Sequence, residues 1–190
     1  MASSIIQLAS QSPRRRMLLE ACGYDVALLR QEGDETWPQC DTPTQVMEVL
    51  ARVKLEGAVG AEDSLPLVVA DTAVWLDNKP LGKPRDIDDA KDMLRRLSGS
   101  RHHVLSSVGV AFSGKETIVV VDTAIWFREL TEHAINRYVE SGEPMDKAGS
   151  YGIQGSAGAF VDRVDGSYSN VVGLPVAETL AALESLGWTR

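Results

Sequence analysis

Apolar positions along the chain follow two rhythms, short strand-length runs and helical stripes, and together these predict strands alternating with helices. Ile5 to Ala9 reads as a short strand that ends in the polar turn Ser10-Gln11-Ser12. Pro13 follows, which predicts a helix capped by Ser12 with proline at its first position. Met17, Leu18 and Ala21 form the expected buried face of that helix, and Gly23 its stop. Thr42-Pro43-Thr44-Gln45 is a capping box. Behind it Val46, Val49, Leu50 and Val53 repeat at helical spacing, with Arg52 and Lys54 beside them. Leu67 to Trp75 predicts a buried strand interrupted by one charge, Asp71. A helix from Asp88 to Leu97 places Ala90, Met93, Leu94 and Leu97 on one stripe and stops at Ser98-Gly99.

The middle of the chain changes rhythm. Val104 to Phe112 and Ile118 to Phe127 are β-branched, apolar segments joined by Ser113-Gly114-Lys115, which predicts an antiparallel hairpin. Thr131 caps a fourth helix with Ala134, Ile135, Tyr138 and Val139 on its inner side. A glycine-rich stretch, Gly149 to Gly158, leads into a strand from Ala159 to Val164, then a turn at Asp165-Gly166. A final helix begins at Pro175 and ends near Gly187. The alternation predicts an α/β fold, a mixed β-sheet with flanking helices, compatible with two lobes around a cleft and contained in one domain, residues 1–190. No internal repeat is visible.

Composition narrows the function. At 190 residues the chain is long enough for one substantial core, or one core divided between two lobes. Nineteen Lys and Arg against 27 Asp and Glu give a net charge of -8, which argues against a long nucleic acid as partner. A small anion remains possible wherever cations gather locally. Cys22 and Cys40 match no metal-binding spacing and cannot build a disulfide framework, so a reducing compartment is expected. The start, MASSIIQLAS, lacks the basic and apolar regions of a signal peptide, and no apolar run is long enough to cross a bilayer. The expected location is the cytoplasm, without a membrane partner.

Chemistry concentrates in a few places. Ser10-Gln11-Ser12-Pro13-Arg14-Arg15-Arg16 puts backbone N–H groups, a hydroxyl and guanidinium forks at a helix start, a suitable cradle for phosphate oxygens. Cations at that end oppose the helix dipole, a conflict that a bound anion removes. The segment lacks the glycines of a P-loop or Rossmann fingerprint, and three arginines also suit a solvated helix face. Asp71 follows Val68-Val69-Ala70, where an ionised carboxylate needs a cleft, a cation or a hydrogen-bonding partner. It can ligate Mg²⁺, orient an attacking water, or end the strand by accepting backbone N–H bonds. Thr72 can tune the same place with a hydroxyl. Lys83 stands in the stiff loop Leu81-Gly82-Lys83-Pro84, and Lys54 and Lys147 read as further, mobile cations. Gln154, between glycines, offers an amide to a base edge or serves as a turn stabiliser. His102, His103 and His133 form no zinc-binding cluster.

Taken in order, these residues resemble the Maf family of nucleotide pyrophosphatases over nearly the whole chain. The resemblance rests on Leu8-Ala9-Ser10 with Ser12-Pro13-Arg14-Arg15, on Ala70-Asp71-Thr72, and on Gly82-Lys83-Pro84. It continues through Met93 to Gly99, Gly142 to Gly149, Tyr151 to Gly155, Gly166-Ser167-Tyr168 and Val171 to Pro175. It implies an α/β fold related to the inosine triphosphate pyrophosphatases and hydrolysis of a nucleoside triphosphate to the monophosphate and pyrophosphate, with Mg²⁺ or Mn²⁺. By the same resemblance, Asp71 is similar to the family's catalytic base. Ser10, Arg14, Arg15, Lys54 and Lys83 are similar to its phosphate contacts, and Glu35 to an acidic partner near the metal. Lys147 joins the substrate-contacting set. Arg14, Thr72 and Gln154 fall where the family's branches differ and resemble the branch acting on dTTP and UTP. The branch selective for 7-methyl-GTP tends to have tryptophan, glutamine and glutamate there, suited to a positively charged base. Trp75 departs from the aliphatic residue more usual in the family. A 7-methyl-GTP pyrophosphatase and a nucleotide-binding regulator of septum formation or cell division are the alternative expectations, and a homodimer is compatible with the main reading.

Overall fold

A computed structural model describes residues 4–33 and 36–189. The first part of the chain is a β–α–β unit: β1 (Ile5–Leu8), α1 (Pro13–Ala21) and β2 (Asp25–Leu28). β1 pairs with β2 in parallel, Ile5 opposite Asp25. Two short strands, β3 (Arg30–Gln31) and β4 (Ala58–Val59), pair antiparallel on either side of α2 (Pro43–Glu56). β5 (Leu67–Leu76) lies parallel to β1 and antiparallel to β6 (Lys79–Leu81), so the sheet is mixed. After α3 (Ile87–Leu97) come the long strands β7 (Arg101–Phe112) and β8 (Lys115–Phe127), then α4 (Glu132–Glu140). Three 3-10 turns, Glu143–Asp146, Ala148–Ser150 and Ser156–Phe160, precede β9 (Val161–Asp165), α5 (Tyr168–Val172) and α6 (Val176–Ser185). The main sheet runs β2-β1-β5-β7-β8-β9, with β6 on β5. This is the α/β fold with a mixed sheet and flanking helices that the alternation predicts.

Local chemistry explains the joints. Ser113 and Gly114 both take positive φ, 51° and 72°, and so do Asp77 and Asn78, at 51° and 59°. Paired left-handed residues in a two-residue turn match the right-handed twist of the strands they join. Thr42 accepts from the Gln45 N–H while the Gln45 side chain accepts from the Thr42 N–H, at 3.3 and 3.1 Å, which closes the capping box of α2. Gly23, at φ 82°, ends α1 as expected.

The chain divides into two compact units. The first comprises the described residues of Met1–Asp71, Ser106–Val121 and Gly173–Arg190. Its core includes Ile6, Leu8, Leu19, Val68, Ala70, Val108, Val110, Leu174 and Leu183. The second comprises Thr72–Leu105 and Asp122–Val172, with a core built on Leu94, Leu97, Val104, Ile125, Phe127, Ile135, Tyr138 and Phe160.

Several local expectations are corrected. On α1, Met17 is 57% exposed and Leu19 is the buried residue, because the helix meets its core along a single narrow edge. On α2, Val49 faces outward and the buried stripe is Val46, Met47, Leu50, Ala51 and, at its end, Lys54. The last strand starts at Val161 rather than Ala159, since the 3-10 turn Ser156–Phe160 takes up the preceding residues. Pro175 caps α6 instead of opening it. β2, β3, β4, β6 and α5 carry no readable hydrophobic period, being two to five residues long.

Candidate active site

The site residues of the first unit sit at the ends of β1 and α2 and in the middle of β5. Ser10 is buried just beyond β1. Its Oγ accepts from the Ser12 N–H at 3.2 Å and from Arg15 Nη1 at 2.9 Å, while Arg15 Nε donates to the Gly173 carbonyl at 2.8 Å. Arg15 is therefore a strut that joins the β1–α1 turn to the segment before α6. Ser12 caps α1 in extended conformation without a side-chain hydrogen bond, and no acidic residue lies in the first turn. The positive helix end thus carries Pro13, Arg14 and Arg15, with Arg14 and Arg15 half-buried. Such an end favours an anion through both its N–H groups and its dipole.

β5 is buried along its length except at two half-buried positions, Asp71 and Thr72. A carboxylate there needs compensation, and Lys54 provides it: Nζ stands 3.9 Å from Asp71 Oδ2, with side-chain exposures of 8% and 27%. The lysine reaches this position from the buried face of α2, its stem packed and its ammonium set against the opposite charge. Lys54 is held rather than mobile. Glu35 lies outside the described residues.

The second unit carries Thr72, Lys83, Lys147 and Gln154. Thr72 follows Asp71 on β5, so the two side chains leave opposite faces of the strand. Lys83 is exposed in the loop after β6, and the Gly82 carbonyl of that loop accepts from the Gly149 N–H at 3.0 Å. Gly149 has φ 67° and approaches so closely that a Cβ would lie 2.9 Å from Val74 Cγ2, so only glycine makes this junction. It ties the Lys83 loop to the Lys147 segment. Lys147 is not a mobile cation either: its Nζ donates to the Glu143 carbonyl and to Asp146 Oδ1, both at 2.6 Å, and its stem lies against Gly152. Gln154 is exposed in the turn that follows.

Sequence places Tyr138 on the inner side of the fourth helix and Glu143 in the Gly142 to Gly149 motif without pointing to a site role for either. The Glu143 carboxylate accepts from the Tyr138 hydroxyl at 3.0 Å and from the Ser156 N–H and hydroxyl at 3.2 and 3.0 Å. The signal available was the pair Gly152 and Gly155, since a glycine repeated that closely implies something pressing on the backbone.

His102 is completely buried, and its Nε2 lies 2.7 Å from the Tyr151 hydroxyl. Burial, with a smaller contribution from His103, pulls its pKa down to about 3, so it stays neutral and serves as packing. Burial also pushes the Tyr138 and Tyr151 hydroxyls upward, which keeps both phenols protonated. Cys22 and Cys40 are both exposed. Among the described residues no three His, Cys, Asp or Glu side chains gather into a metal cage, and no helix is long and apolar enough to cross a membrane.

The description Maf-like protein fits residues 5–186 as a family model. The chain is 47% identical over 180 residues to the dTTP/UTP pyrophosphatase of Vibrio cholerae serotype O1, covering 94% of this chain and 96% of that one. It is 48% identical over 185 residues to the protein of the same name from Anaeromyxobacter dehalogenans, covering 95% and 93%. The Hahella chejuensis protein of that name is 44% identical over 183 residues, covering 95% and 91%. The Staphylococcus aureus Ham1 structure aligns at 14% identity with a TM-score of 0.45, over 65% of this chain and 71% of that one. A continuous family match and relatives of this identity, aligned almost end to end, leave one conclusion: the chain belongs to the Maf family.

Proposed function

We propose that this chain hydrolyses dTTP and UTP to the nucleoside monophosphate and pyrophosphate. The observation that carries the reading is the near-full-length identity of 44–48% to three proteins named for that activity. The arrangement within the first unit supports it: a helix start rich in donors, and a lysine–aspartate pair at the one opening in a buried strand.

Each residue has a task in this reading. Ser10, Arg14 and Arg15 bind phosphate oxygens, Arg15 from a position fixed by Ser10 and Gly173. Asp71 orients a water for attack on the α phosphorus and takes its proton. The P–O bond to the bridging oxygen then breaks, and the electron pair leaves with pyrophosphate. Lys54 holds Asp71 in place and, with Lys83, offsets the charge gathering on the phosphates. Lys147 contributes from a fixed rather than mobile position. Thr72 and Gln154 read the base and, with Arg14, set selectivity.

Magnesium or manganese suits these residues. A hard cation of this kind keeps several waters and substrate oxygens and needs only one or two carboxylates, so the lack of a three-residue cage among the described residues is compatible with it. Asp71, half-exposed, and Glu35 would hold it. When bound, it supplies positive charge against the phosphate oxygens. The two units work in this reading as one enzyme domain, and neither a membrane nor a long nucleic acid is needed as partner.

Purified protein assayed side by side with dTTP, UTP, CTP and 7-methyl-GTP tests the proposal. Release of dTMP and pyrophosphate from dTTP, and of UMP from UTP, is the expected result. Preferential cleavage of 7-methyl-GTP, or nucleotide binding without turnover, overturns it. EDTA is expected to abolish turnover while leaving the unfolding temperature of nucleotide-free protein unchanged, since no three-residue cage among the described residues makes the cation part of the fold.

A further inference from the structure

Gln154 is exposed, and among the described residues no partner holds its amide. Whatever it contacts, its aim is therefore set by the backbone that carries it. That backbone is a tight turn, with the Gly155 N–H bonded to the Gly152 carbonyl at 3.0 Å and Ile153 and Gln154 at the corner. Both ends of the turn are fastened to one pair of side chains. At the entry, the Gly152 N–H donates to the Tyr138 hydroxyl at 3.2 Å. At the exit, the N–H and hydroxyl of Ser156 both donate to Glu143 Oε2. The Tyr138 hydroxyl donates to Glu143 Oε1 at 3.0 Å and closes the loop. A Cβ at Gly155 would run into the Glu143 carboxylate, so the turn lies directly on this group. The same residue holds Lys147 through its carbonyl.

We propose that Glu143, acting with Tyr138, is a positioning residue that aims Gln154 and thereby sets which base the enzyme accepts. The inference rests on the base-reading role given to Gln154 above. It follows from the donor count at the carboxylate. Oε1 faces one donor and Oε2 two, and a carboxylate offers an accepting oxygen to each side. A glutamine has one accepting oxygen. Turned toward Ser156, it presents its NH₂ to a tyrosine oxygen that already accepts from Gly152; turned the other way, it leaves the Ser156 N–H facing another donor. Either way the bonding at one end of the turn is weakened or lost while side-chain volume is kept.

Steady-state kinetics of E143Q, Q154A and the double variant with dTTP and dATP test this. E143Q is expected to raise KM for dTTP more than it lowers kcat, and to cut the preference for dTTP over dATP about tenfold, the scale of one lost charge-assisted hydrogen bond. In the Q154A background, the added E143Q change is expected to alter that preference by less than about twofold, because a residue acting through another has nothing left to act on. Equal losses with both nucleotides mark a merely structural role and overturn the proposal, as does an E143Q effect that persists in full without Gln154. If Q154A keeps the wild-type preference, the base-reading role fails and this inference falls with it. If Q154A loses the preference and E143Q does not, only this inference falls. Should E143Q not fold, Y138F, which removes the hydroxyl joining Gly152 to Oε1, is measured in its place against the same outcomes.

Discussion

Asp71 and Lys54, the ion pair to which the proposed reaction assigns its base, are unequally legible in sequence. An aspartate directly after Val68-Val69-Ala70 stands out in sequence because its charge contradicts its neighbours. Lys54 looks like one of many surface lysines until the fold sets its Nζ 3.9 Å from Asp71. Replacing Asp71 with Asn preserves shape and removes the accepting charge; turnover of dTTP is expected to fall by about two to four orders of magnitude, measured as pyrophosphate release. His102 makes a separate prediction. Its folded pKa is depressed from 6.5 to about 3, so below 6.5 the unfolded chain takes up a proton that the folded chain refuses. Its contribution to stability is therefore intact above pH 6.5 and lost as pH falls toward 3, by up to about 1.4 kcal/mol per pH unit. Urea unfolding of His102→Asn across that window is expected to show a shallower decline than the parent; an identical slope refutes the assignment.

At the scale of elements, terminal signals were read well and buried faces less well. The capping box at Thr42 depends only on residues three apart, so sequence alone located the start of α2. Thr42→Ala is expected to cost about 1 kcal/mol in chemical unfolding. The face of α2 was misjudged because periodicity counts apolar side chains, whereas Lys54 buries a long stem and finds its charge partner on β5, a contact no helical period encodes. The Gly82–Gly149 junction is likewise non-local. Gly149→Ala places a Cβ against Val74 in a left-handed backbone. It is expected to destabilise by more than about 1 kcal/mol in thermal unfolding.

Over the whole molecule, a net charge of -8 coexists with basic residues at the start of α1, so total charge argues against long polyanions without excluding a triphosphate. Each compact unit is assembled from separate stretches of chain, and β5, β7 and β8 each contribute residues to both. Neither unit can therefore be ordered without strands that the other also uses. Urea unfolding followed by circular dichroism and by tryptophan fluorescence is expected to give coincident, single transitions; separate midpoints refute this coupling. The sequence by itself determined the alternation of strands and helices, the helix starts and stops, and the identity of the charged and amide residues. Those depend on neighbours a few positions away, through sterics, capping and hydrophobic period. Only the tertiary structure decided that Lys54 is buried on Asp71, that Arg15 is a strut to Gly173, and that Glu143 and Tyr138 clasp the Gln154 turn. All three pair hydrogen-bonding or charged groups far apart in the chain or across a turn, and which donor meets which acceptor is fixed by packing, not by local pattern.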